Sequence, residues 1–432
     1  MNTLQVDYKN NRMNKVISFI LVFLPLLAPY RLPGTTINFQ VFTMVFFSLL
    51  LVVNGGLKHV IQFCPKFYLL FFVYALCTPI IGFFIYSDRG HFISSYIPIV
   101  TFSMAFLLFL PYVKLELVYK YYRVLIIICV SFFFIQEIMM ALLGWKIIGL
   151  IPLLPLTYEG YTMSEYIDMF VQYNRSSSLF LEPAHFSQYA LGFLGLKLLL
   201  LSKRGKKIDF ESIIVTIALL LSFSGTAYVL TILLWAIYFF VMKINVIYKL
   251  IIGLLVFFSF GYFYSQFSKT ERGEYVVSRA NSLAYGIDDV GESEFVRIYR
   301  GWLVYENLPT LQKITGVGSS NVTCIIEHSP FMWAFGEYDR YVNNAQCLMM
   351  GYGYIGVAFF LLFLFALFPR SECAKYFVPL FIVLCFIESF WCNSIMLLYL
   401  VLASTKTSFV VPPKQATFNN ISNIKCYNRN IT

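Results

Sequence analysis

Arginine, glutamate and histidine share one short string, RSSSLFLEPAHF at residues 175–186, at the edge of an apolar run that continues to Leu201. A carboxylate at membrane depth faces a partner or a watery cavity, because hydrocarbon leaves its charge unsolvated. Arg175 and Glu182 are seven residues apart, so on one continuous helix they occupy one face. His185 lies three residues further on, near that face, and Pro183 removes a helical hydrogen bond and opens the helix beside them. The chemistry open to such a set is acid–base: Glu182 or His185 takes a proton while Arg175 holds an anion. Two plainer readings stand beside it. Arg175 anchors a helix end by snorkelling, or Glu182 serves only to orient Arg175.

A second set lies further along the chain. Arg297 and Arg300 are three apart and share one side of a helix. Their planar donor forks suit phosphate; the alternative is an ion pair with Glu294 or Glu306. The string TGVGSSN (315–321) is a glycine turn able to present backbone N–H groups to an anion. Asn343 and Asn344 open the next apolar run, as caps or as polar ligands. His328 reads as a solvated loop histidine. Gln136, Glu137 and Glu388 fall inside apolar runs, where polar groups pair between helices. No acidic cluster suits Mg²⁺, and the nine cysteines contain no CxxC pair, so neither a metal nor a cofactor is expected.

The elements that must carry these residues are membrane helices. The chain has 432 residues, 59% apolar and only 12% charged, with mean hydropathy +0.73. Long continuous apolar runs recur, in place of the short alternating segments of a barrel. About twelve spans are expected between residues 15 and 403, among them 122–143, 176–201, 248–267 and 344–368. The pairs 211–224/226–242 and 376–388/390–403 contain short members, each pair being two helices or one broken one. The net charge of +10 sits in short loops, notably SKRGKKIDF. That is the positive-inside pattern and argues against nucleic acid. It places both termini in the cytoplasm, with 404–432 as a cytoplasmic tail. Residues 1–403 then form one multi-pass domain with two outer loops, 144–174 and 268–343. Within the larger loop, 293–306 has helical apolar spacing and is expected to lie on the outer membrane face. Aromatics such as Tyr158, Tyr161 and Trp302 suit interface anchoring.

Four strings in this order, RSSSLFLEP, LLLSFSGTAYVL, ITGVGSSN and NNAQCLMMGYGYIGVAFFLLFL, resemble the Wzy-type O-antigen and capsular polysaccharide polymerases, relatives of the O-antigen ligases. The resemblance covers roughly the C-terminal 60% of the chain, and the first five spans match only in hydropathy. Two positions depart from it. Gly225 stands where ligases carry arginine, and Asn343 stands where relatives carry histidine. The resemblance implies an all-α, GT-C-like, metal-independent glycosyltransferase of the bacterial inner membrane. Its substrate would be an oligosaccharide repeat unit on undecaprenyl diphosphate, polymerised at the periplasmic face. A chain-length regulator and a flippase would be its partners. Arg175, Arg297, Arg300 and Asn344 would then hold diphosphate or sugar, and Glu182 or His185 would supply the base. An O-antigen ligase and a lipid-linked oligosaccharide flippase are the competing readings.

Overall fold

In hydrocarbon a long apolar run satisfies its backbone groups by coiling into a helix. The computed structural model describes residues 2–35, 37–58, 60, 65–85, 90–157, 176–204, 208–241, 299–335, 342–387 and 392–405. Among these residues there is no β-strand, only the isolated bridges Tyr30–Leu156 and Arg31–Asn38. The helices are α1 (Asn2–Leu27), α2 (Phe39–Val53), α3 (Lys66–Ile85), α4 (Gly90–Phe109), α5 (Leu115–Leu143), α6 (Pro183–Arg204) and α7 (Phe210–Leu221). They continue with α8 (Gly225–Val241), α9 (Arg300–Glu306), α10 (Thr310–Thr315), α11 (Val322–Glu327), α12 (Asn344–Leu367), α13 (Ala374–Cys385) and α14 (Ser394–Ser404).

Helices α5, α6 and α12 are long and apolar enough to cross a membrane; α2, α3, α4, α7, α8, α13 and α14 are shorter apolar helices. The two ambiguous pairs resolve as separate helices. Trp235 Nε1 donates to Thr216 Oγ1 at 3.1 Å, which folds α8 back along α7. The span 248–267, the loop residues 268–298 and the tail from 406 lie outside the described residues. The end of the bundle at which α6 and α12 begin is called the top below. Tyr376 in the first turn of α13 lies against Ser202 near the end of α6. Both α6 and α12 therefore finish at the bottom.

Helix α6 is the central one, with 89% of its apolar window buried. Buried tyrosines stitch it to its neighbours, because a phenol removed from water still needs a hydrogen-bond partner. Tyr122 of α5 donates to Tyr189 O, Tyr399 of α14 donates to Gln188 O, and Tyr189 itself donates to Val22 O of α1. Tyr68 joins α3 to α4 and α12, its ring 4.3 Å from that of Phe106 and 4.9 Å from that of Phe363.

Toward the bottom, α5, α6 and α7 are tied by charge. Lys197 Nζ lies 2.6 Å from Asp209 Oδ2, 2.5 Å from Glu211 Oε2 and 3.1 Å from the Tyr119 hydroxyl. Glu211 also pairs with Arg123. Asp209 is the N-cap of α7, accepting from Ser212 N at 3.1 Å, so both carboxylates also face the positive end of that helix.

At the top, residues 299–335 and 342–350 form a cap with a small core of its own, including Val304, Tyr305, Val317, Ile326, Phe335 and Met350. The first turns of α12 belong to this cap, while its lower part belongs to the main core.

Candidate functional site

Arg300 is the first residue of α9 and is fully buried. Its guanidinium lies over the Phe335 ring, 4.6 Å from the centroid. A group that stays protonated is thus held away from water against an aromatic face, where its charge acts at longer range than in solvent. The start of α9 abuts the first turn of α12, for a Cβ at Gly301 would meet Gln346 Oε1 at 2.4 Å. This corrects the expectation of a surface-lying amphipathic helix over 293–306. Its described part, from Tyr299, turns inward and buries the arginine, because the cap offers a core for it to enter. Arg297 lies outside the described residues.

The asparagine pair divides its work. Asn343 is the N-cap of α12 in a reciprocal capping box: its Oδ1 accepts from Gln346 N at 2.9 Å, and its own N–H donates to Gln346 Oε1 at 3.0 Å. Asn344, one residue on, is fully buried and takes no part in the cap.

The glycine turn meets a broken helix. Gly353 has φ 60° and ψ −169°, a conformation essentially confined to glycine, and it interrupts α12. The interruption frees carbonyls one turn earlier. Met350 O accepts from Val317 N at 2.9 Å and Gly351 O from Gly318 N at 2.8 Å. Tyr74 of α3 donates to Thr315 O at 2.6 Å and holds the turn from the other side. The backbone N–H groups of Val317 and Gly318 are therefore committed to α12 and do not serve as an anion cradle, which corrects the sequence expectation. Gly316, at φ 77° and ψ 170°, passes so close that a Cβ would lie 2.4 Å from Gly351 O. Gly316→Ala is expected to destabilise the chain by about 2 kcal/mol or more, read as a lower melting temperature of the detergent-solubilised protein.

The RSSSLFLEP string does not continue the helix. Ser178 has φ 56°, Phe180 N donates to Ser177 O at 3.1 Å, and α6 begins only at Pro183. Proline suits a first helical position, where its missing N–H is not needed. It also disfavours helical backbone at the residue before it. So the span begins at 183, not 176, and Pro183 starts a helix that it was expected to open. Glu182 sits just before α6, its carbonyl accepting from Phe186 N at 3.2 Å, and His185 lies in the first turn. Both are half-buried. Arg175 lies outside the described residues, as do Tyr158, Tyr161 and Glu388, and the described chain offers no continuous helix to align Arg175 with Glu182.

Gln136 of α5 holds this turn. Its Oε1 accepts from Ser178 N at 2.7 Å, and its Nε2 donates to Ile147 O at 2.8 Å; Ser178 Oγ donates to Cys129 O at 2.6 Å. Gln136→Leu strands the buried Ser178 N–H and is expected to cost about 1–3 kcal/mol, measured as a shift in thermal unfolding. Beside the start of α6 lies the break between α7 and α8. Ser187 Oγ and Ser222 Oγ are 3.0 Å apart, Phe223 has φ 49°, and a Cβ at Gly225 would meet nothing within 4 Å.

The top of the bundle thus carries two loci on different helices. One has Glu182 and His185 at the start of α6, where Ser187 meets Ser222 of the α7–α8 break. The other has Arg300 at the start of α9, Asn344 at the start of α12, and the 316–321 turn packed on Gly351 of α12. Sequence reasoning expected Gln136 to pair between helices and missed that it holds the turn at Ser178; it also missed the Lys197 network. The one signal for the last was a lone lysine inside the apolar run LGLKLLLL. His328 is exposed as expected, and caps α11: Nδ1 lies 2.8 Å from Cys324 O and 3.7 Å from the Cys324 thiol. A carbonyl only accepts, so Nδ1 carries the proton and is no base for that thiol. Among the described residues no three His, Cys, Asp or Glu side chains gather to hold a metal ion. No protein-family model matches the chain, and no curated protein matches it.

Proposed function

We propose that this chain is a polysaccharide polymerase of the bacterial inner membrane, joining oligosaccharide repeat units carried on undecaprenyl diphosphate. The observation that carries the reading is Arg300, a fully buried cation at the head of a cap built on α12. A leaving lipid diphosphate needs cationic stabilisation, and a preorganised guanidinium in a dry site supplies it without reorganisation. The motif order of the sequence supports the same reading. In it, the top of the bundle is periplasmic, both termini are cytoplasmic, and about twelve spans form a GT-C-like fold.

The chemistry assigned to the residues balances as follows. A hydroxyl of the incoming unit attacks the anomeric carbon of the growing chain, and the bond from that carbon to the diphosphate oxygen breaks. The hydroxyl proton passes to Glu182 or His185. The negative charge left on the diphosphate is met by Arg300, with Arg175 and Arg297 as further cations.

Deletion and complementation test this reading. A deletion strain is expected to display single capped repeats on a surface-polysaccharide gel, and the native gene to restore the ladder. Loss of all surface sugar, single repeats included, would replace the polymerase reading with a flippase or a ligase.

A further inference from the structure

Helix α10 of the cap leaves its two apolar side chains uncovered. Leu311 is 71% exposed and Ile314 is 41% exposed. They are three residues apart, so they share one side of the helix. The position of α10 along the bundle accounts for them.

Helix α10 ends beside the break in α12. A Cβ at Gly353 would lie 2.5 Å from Ile314 O, and one at Gly316 would lie 2.5 Å from Tyr352 Cα. Gly353 stands about 21 Å above Leu367, the last residue of α12, at the helical rise. The hydrocarbon core of a bilayer is about 30 Å thick. With Leu367 at its lower edge, where the exposed Arg370 follows, the upper edge falls about 9 Å above Gly353. The end of α10 is then at the depth of acyl chains. Helix α3 gives a similar depth for the turn that follows. A Cβ at Gly318 would meet Pro79 Cα at 2.6 Å, and Pro79 is about 9 Å below the upper end of α3.

The backbone of α10 is fitted to such a place. A helix end leaves its last carbonyls to water, and in hydrocarbon they need donors from the protein. Leu311 O accepts from Thr315 Oγ1 at 2.9 Å, Gln312 O from Gly316 N at 2.7 Å, and Thr315 O from the Tyr74 hydroxyl at 2.6 Å. The charge of α10 is turned back onto the end of α9, where Lys313 Nζ donates to Glu306 O at 2.6 Å. Below α10 the apolar surface continues on α12. Tyr354, Ile355, Ala358, Leu361, Leu362 and Phe365 are exposed at helical intervals, a stripe that faces lipid when α12 crosses a membrane.

We propose that α10 is a re-entrant element whose Leu311–Ile314 face lies among lipid acyl chains, in the leaflet at the top of the bundle. Bilayer lipid covers this face as it covers the α12 stripe below it, and the edge of the cap is thereby held in the membrane. The inference goes beyond the polymerase reading and does not depend on it; it rests on α12 crossing the membrane.

Contact quenching tests it. A small fluorescent amino acid is placed by codon suppression at position 311, 314, 328 or 365 of the full chain, in phosphatidylcholine nanodiscs open to solvent on both faces. All four positions are exposed, so the probe leaves the cores intact. His328 is the aqueous reference and Phe365 the lipid-facing one. Probes at 311 and 314 are expected to lose emission to lipids brominated along the acyl chain as the probe at 365 does. They are expected to resist aqueous iodide, which quenches the probe at 328. Iodide quenching at 311 and 314 equal to that at 328 overturns the proposal, since the face is then in water. Quenching by neither agent also overturns it, since a second copy or another protein then covers the face. A probe at 365 that brominated lipid does not reach overturns the crossing of α12 itself, and the proposal falls with it.

Discussion

Cells whose only copy carries Arg300→Gln are expected to make single capped repeats and no ladder, with the protein present in membranes at its normal level. Removing one preorganised donor from a developing negative charge costs about 10²–10³ in rate, enough to empty a gel of long chains. Glutamine is chosen over alanine because Arg300 also packs on Phe335 in the cap core, and a cavity there would confound the result. Arg300→Lys keeps the charge but loses the planar fork and is expected to give a shorter, fainter ladder. A full ladder from Arg300→Gln would return this arginine to a purely structural place in the cap. Glu182→Gln and His185→Ala, assayed beside it, separate the two candidate bases: the base is the one whose loss removes the ladder while the protein level holds.

Lys197→Met is expected to lower stability by about 3 kcal/mol, seen as an earlier thermal transition of the solubilised protein. The lysine side chain is 8% exposed and meets two carboxylates, at 24% and 37% exposure. Removing the ammonium leaves Asp209 and Glu211 facing each other with Arg123 as the remaining cation. The value is placed at the low end for a broken buried pair because Asp209 is partly screened by water. Adding Glu211→Gln to Lys197→Met is expected to recover part of the loss, since it removes one of the stranded charges. The network also sets a pH dependence. Burial opposes ionisation of Asp209, but Lys197 and the Ser212 N–H outweigh it and hold the carboxyl below its usual value. A depressed carboxylate stabilises the fold above its unfolded pKa, and that contribution is lost as pH falls through the folded value. The wild-type chain is therefore expected to lose stability on acidification in that range, and Asp209→Asn to flatten the loss.

Much of the helical scaffold was legible because it depends on local chemistry. Apolar runs in hydrocarbon have to close their own hydrogen bonds, so the runs at 122–143 and 344–368 fall within α5 and α12 or match them closely. The Asn–Asn pair before an apolar run announced a cap, and Asn343 is one. The errors came where two local signals disagreed. In RSSSLFLEP the hydropathy carried the helix back to residue 176, yet Ser178 enters the left-handed region and Pro183 takes a first-turn position. Hydropathy is blind to φ.

By itself, the sequence determined that this chain folds as apolar helices, where most of them lie and which polar residues interrupt them, because period, caps and breakers act within a few residues. Tertiary structure alone decided which of those polar residues meet. Gln136 finds Ser178 across 42 residues, and Arg123 finds Glu211 across 88. The 316–318 turn supplies the donors that let α12 break at Gly353, one of three glycines in GYGYIG. Arg300 is buried because the cap closes a second core over it. Where such a group is buried, as Gln136 is, it is tolerable with a partner, and that partner is chosen by packing between segments that are distant along the chain.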